Sequence, residues 1–407
     1  MIQKEDVCMY NEKMYSLGAT GSAIRELYEY GKKRKQEIGE DKVFDFSLGN
    51  PNVPTPQIVN ETLINLIKNT DPTKLHAYTS APGDIFVRKS IADYLNKKYE
   101  CNASESLIYM TVGAAASLTI SLKALLNEGE EVIVFAPFFP EYKVFVENAL
   151  GKIKVVGCKK PSFLPDYEEF EKSITKNTKC VIINSPNNPS GVVYSEEDIK
   201  RISEILKKKQ KEFNNIIYLI SDEPYRELVY DGEKIPFITN YYENTIVCYS
   251  FSKSLSLPGE RIGYILVSSN CNDSANVFKA ICGAGRSLGF VCAPALFQYM
   301  VPYCLGMTSD LSVYEENRKI LYDNLKRIGY DVVNSKGAFY LLVEALGGDA
   351  VKFSNIAKNY ELLLVPSDSF GVEGYVRISY CVSKETVVNS LSAFEKMFND
   401  MDGEKYE

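Results

Sequence analysis

Lys253 stands in the run SFSKSLSLPGERIGY, with Ser250, Ser252, Ser254 and Ser256 around it and Arg261 eight positions on. Directly before it, Ile246-Val247-Cys248-Tyr249 has the length and β-branched character of a buried strand, and Pro258-Gly259 marks a turn ahead of the arginine. A primary amine at a strand end can condense with a carbonyl to form a Schiff base. Neighbouring hydroxyls and a guanidinium are groups that hold phosphate oxygens. Together they suit a phosphorylated ligand that carries a carbonyl group.

A sheet is needed to position these groups. Apolar runs recur at 130–137, 152–158, 178–186, 215–224, 246–249 and 261–268, separated by helical patterns, and Ile108 to Val112 leads into a helix through Gly113-Ala114-Ala115. Continuous apolar strands of this kind fit a largely parallel sheet covered on both faces. Ligands of such sheets sit beyond the carboxyl ends of the strands, where Asn188, Asp222, Tyr225 and Lys253 are expected to converge. The small residues Ala114 and Ala115 leave backbone amides open at a helix start, an anion site.

The pattern changes after about residue 300, to a long helix from Ser312 to Ile328, the runs GAFYLLV, ELLLVP and GYVRISY, and a final helix from Ser383. Near the start, Ile24, Leu27 and Tyr28 have helical spacing with Thr20 or Ser22 as a cap, and FDFSLGNPNVPTP reads as a short strand ending at Gly49 followed by extended chain. The expected fold class is α/β. A large domain, 46–309, would hold a mostly parallel seven-stranded sheet, and a smaller α+β domain would combine 1–45 with 310–407.

Composition narrows the function. The chain has 407 residues, 45% of them hydrophobic, and its net charge of −7 disfavours a nucleic-acid partner. Ten cysteines without a CxxC pair read as reduced thiols, and the lone histidine, His76, leaves little for a zinc site or a Ser-His-Asp triad, so no metal is expected. Neither a signal-peptide pattern nor a run of about 18 apolar residues is found, so a cytoplasmic protein that makes no use of the membrane is expected. CGAGRSLGF (282–290) nearly spells a dinucleotide fingerprint, but Gly289 comes one residue late and no strand precedes it, which disfavours a nicotinamide enzyme.

Four motifs come in a telling order: SPNNPSG (185–191), SDEPYREL (221–228), SFSKSLSLPGERIGY (250–264) and GYVRISY (374–380). From about Phe44 to the last helix the chain resembles the fold-type I aminotransferases, the class I/II enzymes of the aspartate aminotransferase superfamily that depend on pyridoxal 5'-phosphate. The resemblance implies that Lys253 bonds to the cofactor and then carries the proton between the substrate Cα and the cofactor. It pairs Asp222 with the pyridine nitrogen, directs Asn188 and Tyr225 to the phenolic oxygen, and stacks Phe139 on the ring. It gives the phosphate to the amides of Ala114 and Ala115, to Ser250 and Ser252, and to Arg261. Tyr78 would reach the phosphate from a neighbouring subunit, which implies a homodimer. Arg377 would grip the substrate α-carboxylate, helped by Asn188 and the backbone at Gly49, and Arg286 lies near where dicarboxylate-specific relatives place a second arginine from the partner. The histidine that supports the ring-nitrogen aspartate in the aspartate enzymes is missing, and Tyr142 is expected in its place. The implied reaction moves an amino group between an L-amino acid, aspartate being the first candidate, and a 2-oxo acid such as 2-oxoglutarate. A β- or γ-elimination lyase shares every one of these cofactor contacts and is the alternative.

Overall fold

The computed structural model describes residues 10–19 and 21–403, so Thr20, Cys8 and both chain ends lie outside the described residues. Seven strands form the main sheet: β1 (Ile108–Thr111), β2 (Glu131–Phe135), β3 (Lys152–Val156), β4 (Thr178–Asn184), β5 (Tyr218–Glu223), β6 (Thr245–Ser250) and β7 (Gly263–Val267). Their order is β1-β7-β6-β5-β4-β2-β3. β7 runs antiparallel to both neighbours, and the remaining pairs are parallel. Every residue of β5 and β6 is buried, as strands covered on both faces require.

Register carries the site. Asn184, Asp222 and Cys248 are neighbours across β4, β5 and β6, so the polar residues at the strand ends come to one level of the sheet edge. Helix Ala114–Leu125 follows β1, and it packs against helix Ser274–Leu288. The glycines that imitate a dinucleotide fingerprint belong to this second helix, which the apolar pattern did not reveal. A Cβ at Gly285 would lie 2.4 Å from the Tyr109 hydroxyl, so close helix-to-strand packing requires glycine there.

Beyond the main sheet, β8 (Tyr340–Glu344), β9 (Val365–Pro366) and β10 (Tyr375–Ser379) form an antiparallel sheet in the order β8-β10-β9. It shares a core, including Phe46, Leu321, Leu325, Phe353 and Phe394, with helices Ser312–Ile328 and Lys384–Gly403. The run ELLLVP divides between two sheets: Leu362–Leu363 pairs with Phe44–Asp45, and Val365–Pro366 pairs with β10. KIKVVGC divides similarly, since Cys158–Lys159 leaves β3 to pair with Leu164–Pro165.

Helix Ala23–Ile38 is capped by Ser22, whose Oγ accepts from the Arg25 N–H at 3.3 Å. Arg34 ties this helix to Glu361 at 2.6 Å and Lys35 ties it to Asp45 at 3.0 Å, which fixes the arm against the rest of the chain. Among the described residues no helix is long and apolar enough to cross a membrane, and the nine described cysteines are free.

Candidate active site

A cavity of about 560 Å³ opens at the carboxyl ends of the main-sheet strands. Asn188, Asp222, Tyr225 and Lys253 all line it, as the strand-end pattern predicts, and β8, β10 and the N-terminal arm close the other side with Tyr340, Arg377 and Arg25.

Asp222 is the penultimate residue of β5 and its side chain is buried. Its Oδ2 accepts from the Tyr142 hydroxyl at 2.5 Å, while Oδ1 is buried without a partner. Burial pushes the carboxyl up from its ordinary 3.8 to about 7, against the opposing pull of the Tyr142 hydrogen bond. An orphaned buried oxygen on a carboxylate that lines a cavity is costly unless a ligand donates to it, and a protonated ring nitrogen is such a donor. Tyr142, on helix Glu141–Asn148, takes the supporting position expected for it.

Lys253 lies in the helical turn Phe251–Ser254 that follows β6, where the Ser250 hydroxyl accepts from the Ser252 N–H at 3.2 Å. Its Nζ donates to the Gly49 carbonyl at 2.7 Å. Burial lowers its pKa from 10.5 to about 8; the thiol of Cys381 opposes this, and Arg261 and Arg377 add to it. Near neutral pH such an amine keeps an appreciable nucleophilic fraction.

At the opposite end, helix Ala114–Leu125 begins after Gly113 with no side chain capping its first amides. Gly113 has φ +96°, and a Cβ there would stand 2.9 Å from Arg261 Nη2, so the guanidinium lies against the open helix start. The hydroxyls of Ser250 and Ser252 are 2.8 Å apart at the end of β6. Open amides, hydroxyls and an arginine are the kinds of group that bind a phosphate, and a side chain at 113 would crowd the guanidinium. Phe139 supplies an aromatic wall, its ring edge-on to Tyr142 at 5.8 Å.

Arg377 on β10 is buried, and no carboxylate among the described residues lies within ion-pairing distance of it. Nη2 donates to the Ser47 carbonyl at 2.5 Å and Nη1 to Asn188 Oδ1 at 3.1 Å, while Nε is buried without a partner. A buried cation held only by neutral acceptors fits an incoming carboxylate.

Five expected site residues do not line this cavity: Ser250, Ser252 and Arg261, which lie at the end of β6 and against Gly113, and Tyr78 and Arg286. Tyr78 is 95% exposed, and Arg286 is exposed on helix Ser274–Leu288; neither lines the cavity of its own chain. Conversely, Tyr340 and the arm residues Ser22, Arg25, Tyr28 and Glu29 line the cavity although sequence patterns did not single them out. For Tyr340 a signal existed: a tyrosine inside the apolar run GAFYLLV must find a partner for its hydroxyl. It finds Tyr225, oxygen to oxygen 3.0 Å. The polar face of the arm helix has no such local mark, because it looks like any solvated helix face.

A mostly parallel seven-stranded sheet with its polar strand ends gathered in one cavity defines a fold-type I transaminase. The chain belongs to the aminotransferase class I and II family, whose profile matches residues 41–394. An aspartate aminotransferase of Thermotoga maritima is 30% identical over 383 residues, covering 92% of this chain and 97% of its own. A probable N-acetyl-LL-diaminopimelate aminotransferase of Bacillus subtilis is 30% identical over 87% of this chain and 89% of its own. Among solved structures, an aminotransferase from Eubacterium rectale superposes with a TM-score of 0.95 at 52% identity, covering 97% of this chain and 99% of that one.

Proposed function

We propose that this transaminase uses pyridoxal 5'-phosphate to move an amino group between an L-amino acid, aspartate first among them, and a 2-oxo acid such as 2-oxoglutarate, as a cytoplasmic homodimer. What carries the reading is the unpartnered Asp222 Oδ1 in a cavity shared with Lys253 and Arg377. When bound, the cofactor supplies an electron sink for the charge left as the substrate Cα loses its proton. Asp222 would keep the ring nitrogen protonated, while Asn188 and Tyr225 would donate to the phenolic oxygen. Phe139 would supply the apolar wall beside the ring, and Ala114, Ala115, Ser250, Ser252 and Arg261 would hold the phosphate. Arg377, with Asn188 and the Gly49 backbone, would fix the substrate α-carboxylate and so orient the Cα–H bond, and Lys253 would take the proton.

Tyr78 serves the phosphate of the partner's site, and Arg286 serves the distal carboxylate of an acidic donor bound there. The exposed apolar residues Ile64, Ile67 and Phe86 are of the kind a second copy would cover. The acidic donor is supported by relatives named aspartate aminotransferase. We also read residues 46–309 as the large domain, with 1–45 and 310–407 as the small one; the separate apolar cluster around β8–β10 supports the division.

The test is turnover of aspartate by purified protein loaded with pyridoxal 5'-phosphate, with and without 2-oxoglutarate. Oxaloacetate should form only when the oxo acid is present. Amino-acid breakdown without it would mean an elimination lyase.

A further inference from the structure

Tyr340 and Tyr225 approach each other hydroxyl to hydroxyl at 3.0 Å, both side chains buried. Burial, first of all, raises the pKa of both phenols, Tyr340 to about 12, so each carries its one proton at neutral pH. The Tyr340 hydroxyl also packs closely against the backbone at Gly49, where a Cβ would lie only 2.0 Å from it. The ring of the same tyrosine lies under the Arg377 guanidinium, 4.7 Å from its centroid. One residue thus touches both the phenol next to Asp222 and the cation that awaits the substrate carboxylate.

The proton count sets the direction of the contact. A phenol has one hydrogen to give. If Tyr225 gives its hydrogen to a ligand oxygen in the cavity, the contact between the two phenols must be made by Tyr340 donating to Tyr225. A donor whose own oxygen accepts a hydrogen bond is polarised and donates more strongly.

We propose that Tyr340 is a positioning residue that acts through Tyr225: it donates to the Tyr225 hydroxyl, strengthens the bond from Tyr225 to the phenolic oxygen of the cofactor, and so lowers the pH at which the proton leaves Lys253 Nζ in the loaded enzyme. This rests on the pyridoxal phosphate reading above. Electron density drawn toward Tyr225 leaves less charge on the phenolic oxygen to hold the proton at Nζ. Tyr340 is also the packing surface of Arg377, so occupation of the carboxylate site bears on the same chain of hydrogen bonds.

The experiment is a pH titration of the visible absorbance of the loaded enzyme for wild type, Tyr340→Phe, Tyr225→Phe and the double variant. Tyr340→Phe keeps the ring and removes only the hydroxyl, so its midpoint should rise by about half a pKa unit to one unit. Tyr225→Phe should raise it further. Adding Tyr340→Phe to Tyr225→Phe should then change nothing, since the route from Tyr340 to the cofactor is already cut. An unchanged midpoint in Tyr340→Phe, or shifts that add in the double variant, would overturn the proposal. A wild-type protein that shows no visible band with pyridoxal phosphate would instead refute the cofactor reading, so the two failures are distinct. Thermal melting of each variant separates lost folding from a changed titration.

Discussion

The hydroxyl of Tyr142 donates to Oδ2 of Asp222 at 2.5 Å, with both side chains buried. The contact orients the carboxylate of this cavity-lining residue and leaves Oδ1 without a partner. Asp222→Ala should therefore cost more than Asn188→Ala, because it removes a buried charge from the ring-nitrogen site whereas the asparagine supplies a neutral hydrogen bond. The expected losses in kcat/KM are about 100-fold or more against about 10-fold. Equal losses would defeat the assigned roles. Tyr142→Phe should fall between them.

A stability test follows from the same carboxyl group, which burial raises from 3.8 to about 7 in the protein without cofactor. Between these values the native state holds a proton that the unfolded state has released. The contribution is thus present below about pH 4 and lost as pH rises through 7. Asp222→Asn removes this dependence. In urea denaturation of cofactor-free protein, the variant should gain on wild type by roughly 3 kcal/mol between pH 4.5 and pH 8. A gap that stays constant with pH would show that Asp222 titrates normally.

Gly113 combines φ +96° with a Cβ position 2.9 Å from Arg261 Nη2. Gly113→Ala should weaken pyridoxal phosphate binding by about tenfold or more, through backbone strain and displacement of the guanidinium. Gly259, where a Cβ would meet nothing within 4 Å, is the control. Cofactor titration of both alanine variants decides the matter, and similar affinities would remove Gly113 from the phosphate site.

Tyr78, 95% exposed in the single chain, is proposed to serve a partner's site. Tyr78→Phe should reduce cofactor affinity, by roughly 1 to 3 kcal/mol. Exchanging subunits with a Lys253→Ala protein makes hybrids with one doubly defective site and one intact site, if the tyrosine acts across the interface. Wild-type cofactor affinity should then return at half the sites. Hybrids with no restored site would put Tyr78 out of that role.

Arg377 and Arg286 separate through a panel of amino donors. Arg377→Ala should depress every donor alike, since all present an α-carboxylate. Arg286→Ala should reduce kcat/KM for aspartate and glutamate by about 2 to 5 kcal/mol and leave alanine and aromatic donors near wild type. A uniform or absent effect of Arg286→Ala would make that residue structural and leave acidic-donor preference without a residue to support it.

Much of the molecule is legible in local patterns. Strands buried on both faces must be apolar throughout, so β2, β4, β5 and β6 stand out as runs, and a strand end followed by polar residues marks the ligand edge. Helix Ser312–Ile328 has the limits that its periodicity predicts. Local pattern fails where one run serves two sheets, as in ELLLVP, because pairing partners are chosen by distant chain. It also fails for helix Ser274–Leu288, whose glycines imitate a dinucleotide fingerprint until Tyr109 is seen against Gly285.

The chemistry of each group was set by the sequence alone: an amine at a strand end, a carboxylate near the end of the preceding strand, an arginine in a late apolar run. Which groups meet was decided only by the folded chain. Lys253 reaches Gly49 across 204 residues, Arg377 reaches Asn188 across 189, and Tyr340 reaches Tyr225 across 115. Contacts of that span follow from how the small antiparallel sheet and the N-terminal arm close over the main sheet. Residue type and spacing along a chain carry no record of that closure; side-chain packing between distant segments creates it, and with it the cavity in which the groups can act together.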